Sequence, residues 1–415
     1  MAFFLESTFI GLFFFGWDKL SKPMHLAVTW LVAIGANMSA LWILVANGWM
    51  QYPVGSHFNT DTLRMELGSF SELFYNPVAQ VKFVHTVAAG YVTGAIFVLA
   101  ISSYYLLKGR DIQFARRSFA VATGFGLASI LSVLVLGDVS GYTIGEVQKT
   151  KLAAIEGEWE TQPPPAHFVL FGIPNDKTKT MDYAIKIPYV LGIIATHSID
   201  KPIMGLNDLI ERHEQKIRDG IKAHELLEKL KENPTPEIIA EFNKVKDTLG
   251  YALLLKRYSK NIKEATDEEI KLAAANSVPK VAPLFWTFRI MVGLGFLMLL
   301  LFILAFYYNI KNHIQRHKWL LRFALISLPF PWIAAECGWI VAEYGRQPWV
   351  VAEILPTYMG VSSINTSQVW VSLGGFVLFY TTLLIIELYL MIKYARLGPS
   401  TLGLNRYHFE TRGAP

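Results

Sequence analysis

Seven long apolar stretches punctuate the chain, at roughly 2–16, 25–46, 80–106, 119–136, 284–308, 319–342 and 369–393. A helix needs about 20 predominantly apolar residues to cross the hydrocarbon of a bilayer, and the last six stretches meet that length. The first is shorter and starts at residue 2. It carries Glu6 and lacks the basic flank and small-residue cleavage site of a signal peptide, so it reads as a spanning helix without its beginning. The one long polar region, 137–283, has its own pattern. Apolar residues recur at helical spacing from about Leu206 to Leu230, Pro234 and Pro236 end that run, and a further helix is predicted over 238–254. The pattern predicts an all-α, polytopic membrane helix bundle of about seven spans with a long extramembrane loop. Its parts are membrane helices over 1–136, the loop over 137–283, membrane helices over 284–394 and a tail over 395–415.

Charge sets the orientation. Lys19 and Lys22, then Lys108, Arg110, Arg116 and Arg117, then Lys311, Arg316, Lys318 and Arg322, then Lys393, Arg396, Arg406 and Arg412 fall in alternate loops. Basic loops stay on the cytoplasmic side, which places the amino terminus and the 137–283 loop outside and the carboxyl terminus inside. Charged residues make up 17% of the chain against about 25% in soluble domains. The net charge of +5 is scattered over short loops, a distribution that argues against a nucleic-acid partner. The single cysteine, Cys337, rules out a disulfide framework and zinc spacing.

Ionisable groups at membrane depth are costly and are usually functional. The segment Glu336-Cys-Gly-Trp339-Ile-Val-Ala-Glu343-Tyr-Gly-Arg346-Gln-Pro-Trp349 puts two carboxylates on one helix face and an arginine just beyond them. Glu343 can ligate a high-spin iron or carry protons; it can also form a packing ion pair with Arg346. His85 and Met291 each lie eight residues past a proline, Pro77 and Pro283, in spans entering from outside. At 1.5 Å per residue both sit roughly 12 Å into their helices. His plus Met is an axial pair for a low-spin heme, and Gly90 and Gly94 leave room for a macrocycle. The alternatives are a hydrogen-bonded structural histidine and a core methionine. Arg289 can pair with a heme propionate. Glu6 and Ser39 are polar groups in neighbouring spans, fit for a proton route or, for Ser39, for helix packing. Buried Glu, Arg and His also suit an ion- or proton-coupled transporter, although neither an inverted repeat nor paired broken helices are evident.

Gly345-Arg-Gln-Pro-Trp349, Ser39-Ala-Leu-Trp-Ile-Leu-Val-Ala-Asn-Gly-Trp-Met50, Pro77-Val-Ala-Gln-Val-Lys-Phe-Val-His85 and Gln148-Lys-Thr-Lys-Leu-Ala-Ala-Ile-Glu156 together resemble subunit I of the bacterial cytochrome bd-type quinol oxidases, in order and over essentially the whole chain. The loop resembles the long-loop branch of that family. The resemblance implies a multi-pass protein of the bacterial cytoplasmic (inner) membrane that oxidises quinol outside, reduces oxygen to water and generates a proton gradient. It implies His85 and Met291 as ligands of a low-spin heme b, Glu343 as a ligand of a high-spin heme b with Trp339 nearby, and Arg289 and Arg346 balancing heme charge. Lys151 and Glu156 would serve quinol, and Glu6 and Ser39 would lie on proton routes. A heme d, a second oxidase subunit and small single-span subunits are implied as well. Family members have nine spans. About two helices and the beginning of the next would precede residue 1 and hold a histidine ligand and a glutamate with no counterpart here, so the chain is expected to be an N-terminally truncated gene model, a real and inactive fragment, or a variant completed by another polypeptide.

Overall fold

The computed structural model describes residues 2–17 and 19–399; the predicted tail from residue 400 on, with Arg406 and Arg412, lies outside the described residues. The chain begins with α1 (Ala2–Phe15) and α2 (Lys22–Gln51), then a small hairpin of β1 (Ser56–Asn59) and β2 (Arg64–Leu67). Next come α3 (Phe70–Phe74), α4 (Pro77–Lys108) and α5 (Ile112–Val147). The long loop holds α6 (Lys149–Glu156), the antiparallel strands β3 (Phe168–Asn175) and β4 (Thr180–Ile187), and α7 (Val190–Thr196). It continues with α8 (Leu206–Glu232), α9 (Pro236–Val245), α10 (Leu249–Leu253) and α11 (Asp267–Ala275). The chain then returns through α12 (Val281–Ile310), α13 (Lys318–Ile326) and α14 (Phe330–Tyr344), a short β5 (Trp349–Val351) and β6 (Leu355–Pro356) pair, and α15 (Thr366–Leu397). Six helical segments are long and apolar enough to cross a membrane, and α1 is a shorter apolar helix.

Local chemistry fixes the helix ends that matter for the site. Asn76 caps α4 by accepting from the amides of Val78 and Ala79, with Pro77 at the first turn, where its missing N–H costs nothing. Gly157 ends α6 at φ 71°, a conformation that a Cβ would penalise. Two boundaries differ from the pattern-based expectation. The polar run from Gly137 contains no proline, so α5 stays helical to Val147 rather than ending near 136. The stretch 319–342 is two helices, because Pro329 and Pro331 lack the N–H groups that would bond one turn back.

The bundle is organised around a ring of four helices. Neighbours α4 and α5, α5 and α12, α12 and α14, and α14 and α4 pack together, which leaves α4 and α12 diagonally opposed. The half of the ring away from the long loop is filled by Ile96, Leu99, Phe119, Leu301 and Phe302. The Phe302 ring lies against Gly126, where any larger residue would overlap it. Outside the ring, α2 packs on α4 and α1 on α2, and no residue of α15 is buried.

The loop is docked rather than loose. Its core of Ile217, Tyr251, Leu255 and Ala274 closes over Trp349, which follows α14. Gly250 meets the Glu353 carbonyl so closely that no side chain fits there. The helix predicted over 238–254 is instead α9, a 3₁₀ turn at Lys246–Thr248 and α10, an arrangement that delivers Gly250 to that contact.

His213 on α8 is buried, with Nδ1 2.7 Å from the Ser277 hydroxyl. That hydroxyl donates to the Ala274 carbonyl, so Nδ1–H is the donor to Ser277. Burial, reinforced by nearby Lys216, lowers the imidazole pKa to about 4, while Glu353 opposes. A depressed pKa stabilises the fold above the free value near 6.5 and loses that contribution as pH falls toward 4, on the order of 3 kcal/mol in full. Amide exchange in α8 and α11, corrected for intrinsic rates, should therefore accelerate between pH 6.5 and 4. His213→Gln should flatten that dependence; an unchanged pH profile in the variant would refute it.

Candidate functional site

A continuous polar network occupies the ends of α2, α4 and α14 that meet the long loop. Glu343 accepts from Asn47 Nδ2 at 2.7 Å and from Arg346 Nη2 at 2.5 Å, and Gln51 Nε2 lies 3.4 Å from it. The Asn47 oxygen in turn accepts from Lys82 Nζ at 3.0 Å. Gln51 also donates to the Ala342 carbonyl, 3.0 Å away. The loop enters this network through α6. Lys151 Nζ donates to Gln51 Oε1, to Gln148 Oε1 at 2.9 Å and to the Ala342 carbonyl at 3.1 Å. Three oxygens around Nζ match the three N–H groups of an ammonium. Burial pulls the Lys151 pKa well below its usual range, with Lys82 and Arg346 adding to the effect and Glu343 opposing it. Lys151 and Arg346 also line a cavity of about 750 Å³ between the loop and the bundle.

The second cluster lies on another face of α6. Arg289 of α12 spends all five N–H groups: on Glu156 Oε2 at 3.1 Å, on the Ile155 carbonyl at 2.9 Å, on the Phe285 carbonyl at 3.3 Å and twice on the Val169 carbonyl. Its guanidinium stacks 3.4 Å from the centre of the Phe285 ring. Burial pushes the Glu156 carboxyl up, and Arg289 works against that shift. Glu158, two residues on, is buried too, chiefly for which reason its pKa rises to about 7.

Lys151 and Glu156 therefore point to different partners, and neither Lys151 nor Arg289 has an N–H left over in this structure. Five residues on a helix is a rotation of about 140°, which explains the separation. Arg289, expected to balance heme charge, is held in this structure by Glu156 and the carbonyls of Ile155, Phe285 and Val169. Glu6 and Ser39 share the α1–α2 seam: Gly35 packs directly on the Glu6 backbone, and Ser39 is one turn further along α2. Trp339 and Glu336 are exposed on α14. Asn47, Gln51, Lys82 and Glu158 are the site residues that spacing did not assign. A lysine eight residues before a glycine pair at membrane depth was the available signal for Lys82.

His85 and Met291 stand on the diagonally opposed helices α4 and α12, and facing helices of a bundle are where cofactors are commonly held. His85 Nδ1 is buried and makes no hydrogen bond of full geometry among the described residues, although the Val133 backbone of α5 lies close to the imidazole. The imidazole edge lies beside Gly137 of α5, and the Met291 sulfur beside Gly338 of α14, where a Cβ would stand only 3.0 Å from it. A Cβ added at Gly90, Gly94, Gly293 or Gly295 would meet nothing within 4 Å. Around Glu343, Arg346 pairs with the carboxylate and Lys82 is linked to it through Asn47, and Arg346 Nε and Nη1 are buried without partners among the described residues. Anionic propionates are the chemistry that those guanidinium N–H groups would pair with.

The sequence model described as "Cytochrome bd terminal oxidase subunit I" matches residues 1–399. The chain belongs to that family. This bd-type oxidase subunit is 52% identical over 403 residues to "Cytochrome bd-II ubiquinol oxidase subunit 1" of Escherichia coli (strain K12), covering 97% of this chain and 78% of that protein. It is 32% identical to "Cytochrome bd ubiquinol oxidase subunit 1" of Bacillus subtilis (strain 168), covering 96% of this chain and 73% of that one. The solved structure of bd oxidase from Geobacillus thermodenitrificans shares the fold, with a TM-score of 0.70 at 24% identity, covering 96% of this chain and 76% of that chain. The bd-type oxidase subunit is thus a multi-pass membrane protein, as its six long apolar helices require.

Removing the Asn47 amide would leave Glu343 short of a donor and Lys82 short of an acceptor, at about 1–3 kcal/mol each. Asn47→Leu should lower the thermal midpoint of the bd-type subunit in detergent clearly. Glu343→Gln should reduce that penalty in the double variant, with a coupling of about 1 kcal/mol or more. Strict additivity would show that the two side chains do not interact.

Proposed function

We propose that this chain is the heme-bearing, quinol-oxidising subunit of a bd-type terminal oxidase in a bacterial cytoplasmic membrane. Its partners are a second oxidase subunit and small single-span subunits. The observation that carries the reading is the placement of His85, with its buried ring nitrogen, and Met291 on diagonally opposed helices of one ring. His85 and Met291 would hold a low-spin heme b, and Glu343 would hold a high-spin heme b, with Arg346 and Lys82 offering charge to its propionates. A heme d is the third cofactor of the assembled enzyme. Bound there, these groups supply one-electron transfer and the reduction of oxygen.

The residues of the chain then account for direction and proton traffic. Two quinols release four electrons and four protons on the outer side, and one oxygen takes four electrons with four protons from the cytoplasm to form two waters. Separating the two proton sites across the membrane builds the gradient without a pumping step. Glu156, with Glu158 beside it, is the proton acceptor for quinol; burial raises both carboxyls, Glu158 to about 7, which suits Glu158 to take up and pass on a proton near neutral pH. Arg289 holds Glu156 in position. Lys151 acts through Gln51 and Ala342, tying the quinol side of α6 to Glu343 and Arg346. Glu6 and Ser39, along the α1–α2 seam, carry protons toward the oxygen site.

Met291→Leu removes the thioether while keeping volume, so the fold should persist. The reduced-minus-oxidised absorbance of the assembled oxidase should lose its low-spin b band or show it converted to high-spin. A spectrum unchanged from the parent would exclude Met291 as a ligand.

A further inference from the structure

An antiparallel hairpin with one solvated side normally turns polar residues outward. The β3–β4 hairpin departs from this, exposing several large apolar side chains beside the charged Asp182 and Lys186. Val169, Gly172, Met181 and Ala184 face inward, Val169 onto the core that α6 and α12 share. Leu170 is 52% exposed, Ile185 56% and Tyr183 83%. The neighbouring α7 exposes Ile193, and Tyr189 stands exposed at its start. Together they form a largely apolar surface interrupted by Asp182 and Lys186.

The hairpin and α7 flank two membrane spans. β3 packs on the first turns of α12, with Phe171 edge-on to Trp286 at 5.4 Å and the Val169 carbonyl held by Arg289. α7 packs on the loop end of α5: Ile194 contacts Gly141, His197 reaches Asp138 at 3.2 Å, and the His197 ring stacks on Tyr142. On α5 the exposed residues Leu131, Val135 and Val139 lead directly up to α7, and Ile290 does the same on α12 toward β3. The polar hairpin tip, Asp176–Lys179, turns the other way, and Lys179 donates to Asn207 on α8 at 3.1 Å.

We propose that the β3–β4 hairpin and α7 lie in the outer headgroup and acyl boundary of the bilayer, as an apolar ledge continuous with the lipid-facing surface of α5 and α12. The unpaired strand edges set the depth. Backbone groups without partners cannot enter hydrocarbon, but the interfacial zone supplies water and headgroup oxygens. Tyr183 and Tyr189 are the residue type that gathers there. The ledge also puts the Glu156–Arg289 pair directly behind lipid-facing strands, since Val169 belongs to both.

Cys337 is buried, so Cys337→Ala gives a background for single labels. Ile185→Cys, Ile193→Cys and, as a solvated reference on α8, Lys222→Cys would each be labelled with an environment-sensitive fluorophore in the assembled oxidase, reconstituted into phosphatidylcholine–phosphatidylglycerol vesicles. The labels at 185 and 193 should be quenched several-fold more by brominated phospholipid than by iodide, with the reverse at 222. Iodide quenching at 185 and 193 equal to that at 222 would overturn the proposal in favour of a solvated face. Protection of both labels from both quenchers would overturn it in favour of a covering protein.

Discussion

A charge placed at the end of a membrane helix has to be answered by other groups, and here that constraint joins the loop to the bundle. Glu343 is held by Asn47 of α2 and by Arg346 just past α14, and Asn47 is held in turn by Lys82 of α4. Through Gln51 and the Ala342 carbonyl the same network takes in Lys151 of α6. Four elements that are distant in sequence are thus fixed relative to one another by hydrogen bonds that water cannot readily replace. Breaking one leaves a buried polar group unpaired, which is more costly than the bond itself is stabilising. The register between the loop and the membrane helices follows from this network and from the packing of Trp349 under Tyr251.

The exceptions to satisfaction are as informative as the network. His85 Nδ1 and Arg346 Nε and Nη1 make no hydrogen bond of full geometry among the described residues although they are buried, and buried polar atoms are overwhelmingly paired in proteins. The two sites lie on the same ring of helices, one toward α5 and one at the loop end of α14. Under the proposed function, the iron of the low-spin heme would answer the first and the propionates of the high-spin heme the second.

Much of this was legible in the chain. The spans follow from hydropathy, because a helix in lipid must satisfy its own backbone and so needs a long apolar run. Helix α8 followed from its spacing and its terminal prolines. What pattern could not supply was partner choice. Nothing local to Arg289 says that it will take Glu156 and Val169, contacts more than a hundred positions away, rather than a cofactor. Asn47 and Gln51 are ordinary polar residues until α2 is set beside α4 and α14. The β3–β4 hairpin was hidden because Phe168-Val-Leu-Phe171 is apolar on both faces, inward to the core and outward to the surface, and so lacks the alternation that marks a strand.

The most direct test of the account is an experimental structure of the assembled oxidase with its hemes bound. The account predicts one iron bonded on opposite faces by His85 and Met291, a second bonded by Glu343, and a propionate on Arg346, with Arg289 still on Glu156. Density showing His85 and Met291 on different groups, or Glu343 paired only with Arg346 and Asn47 and no iron beside it, would contradict it.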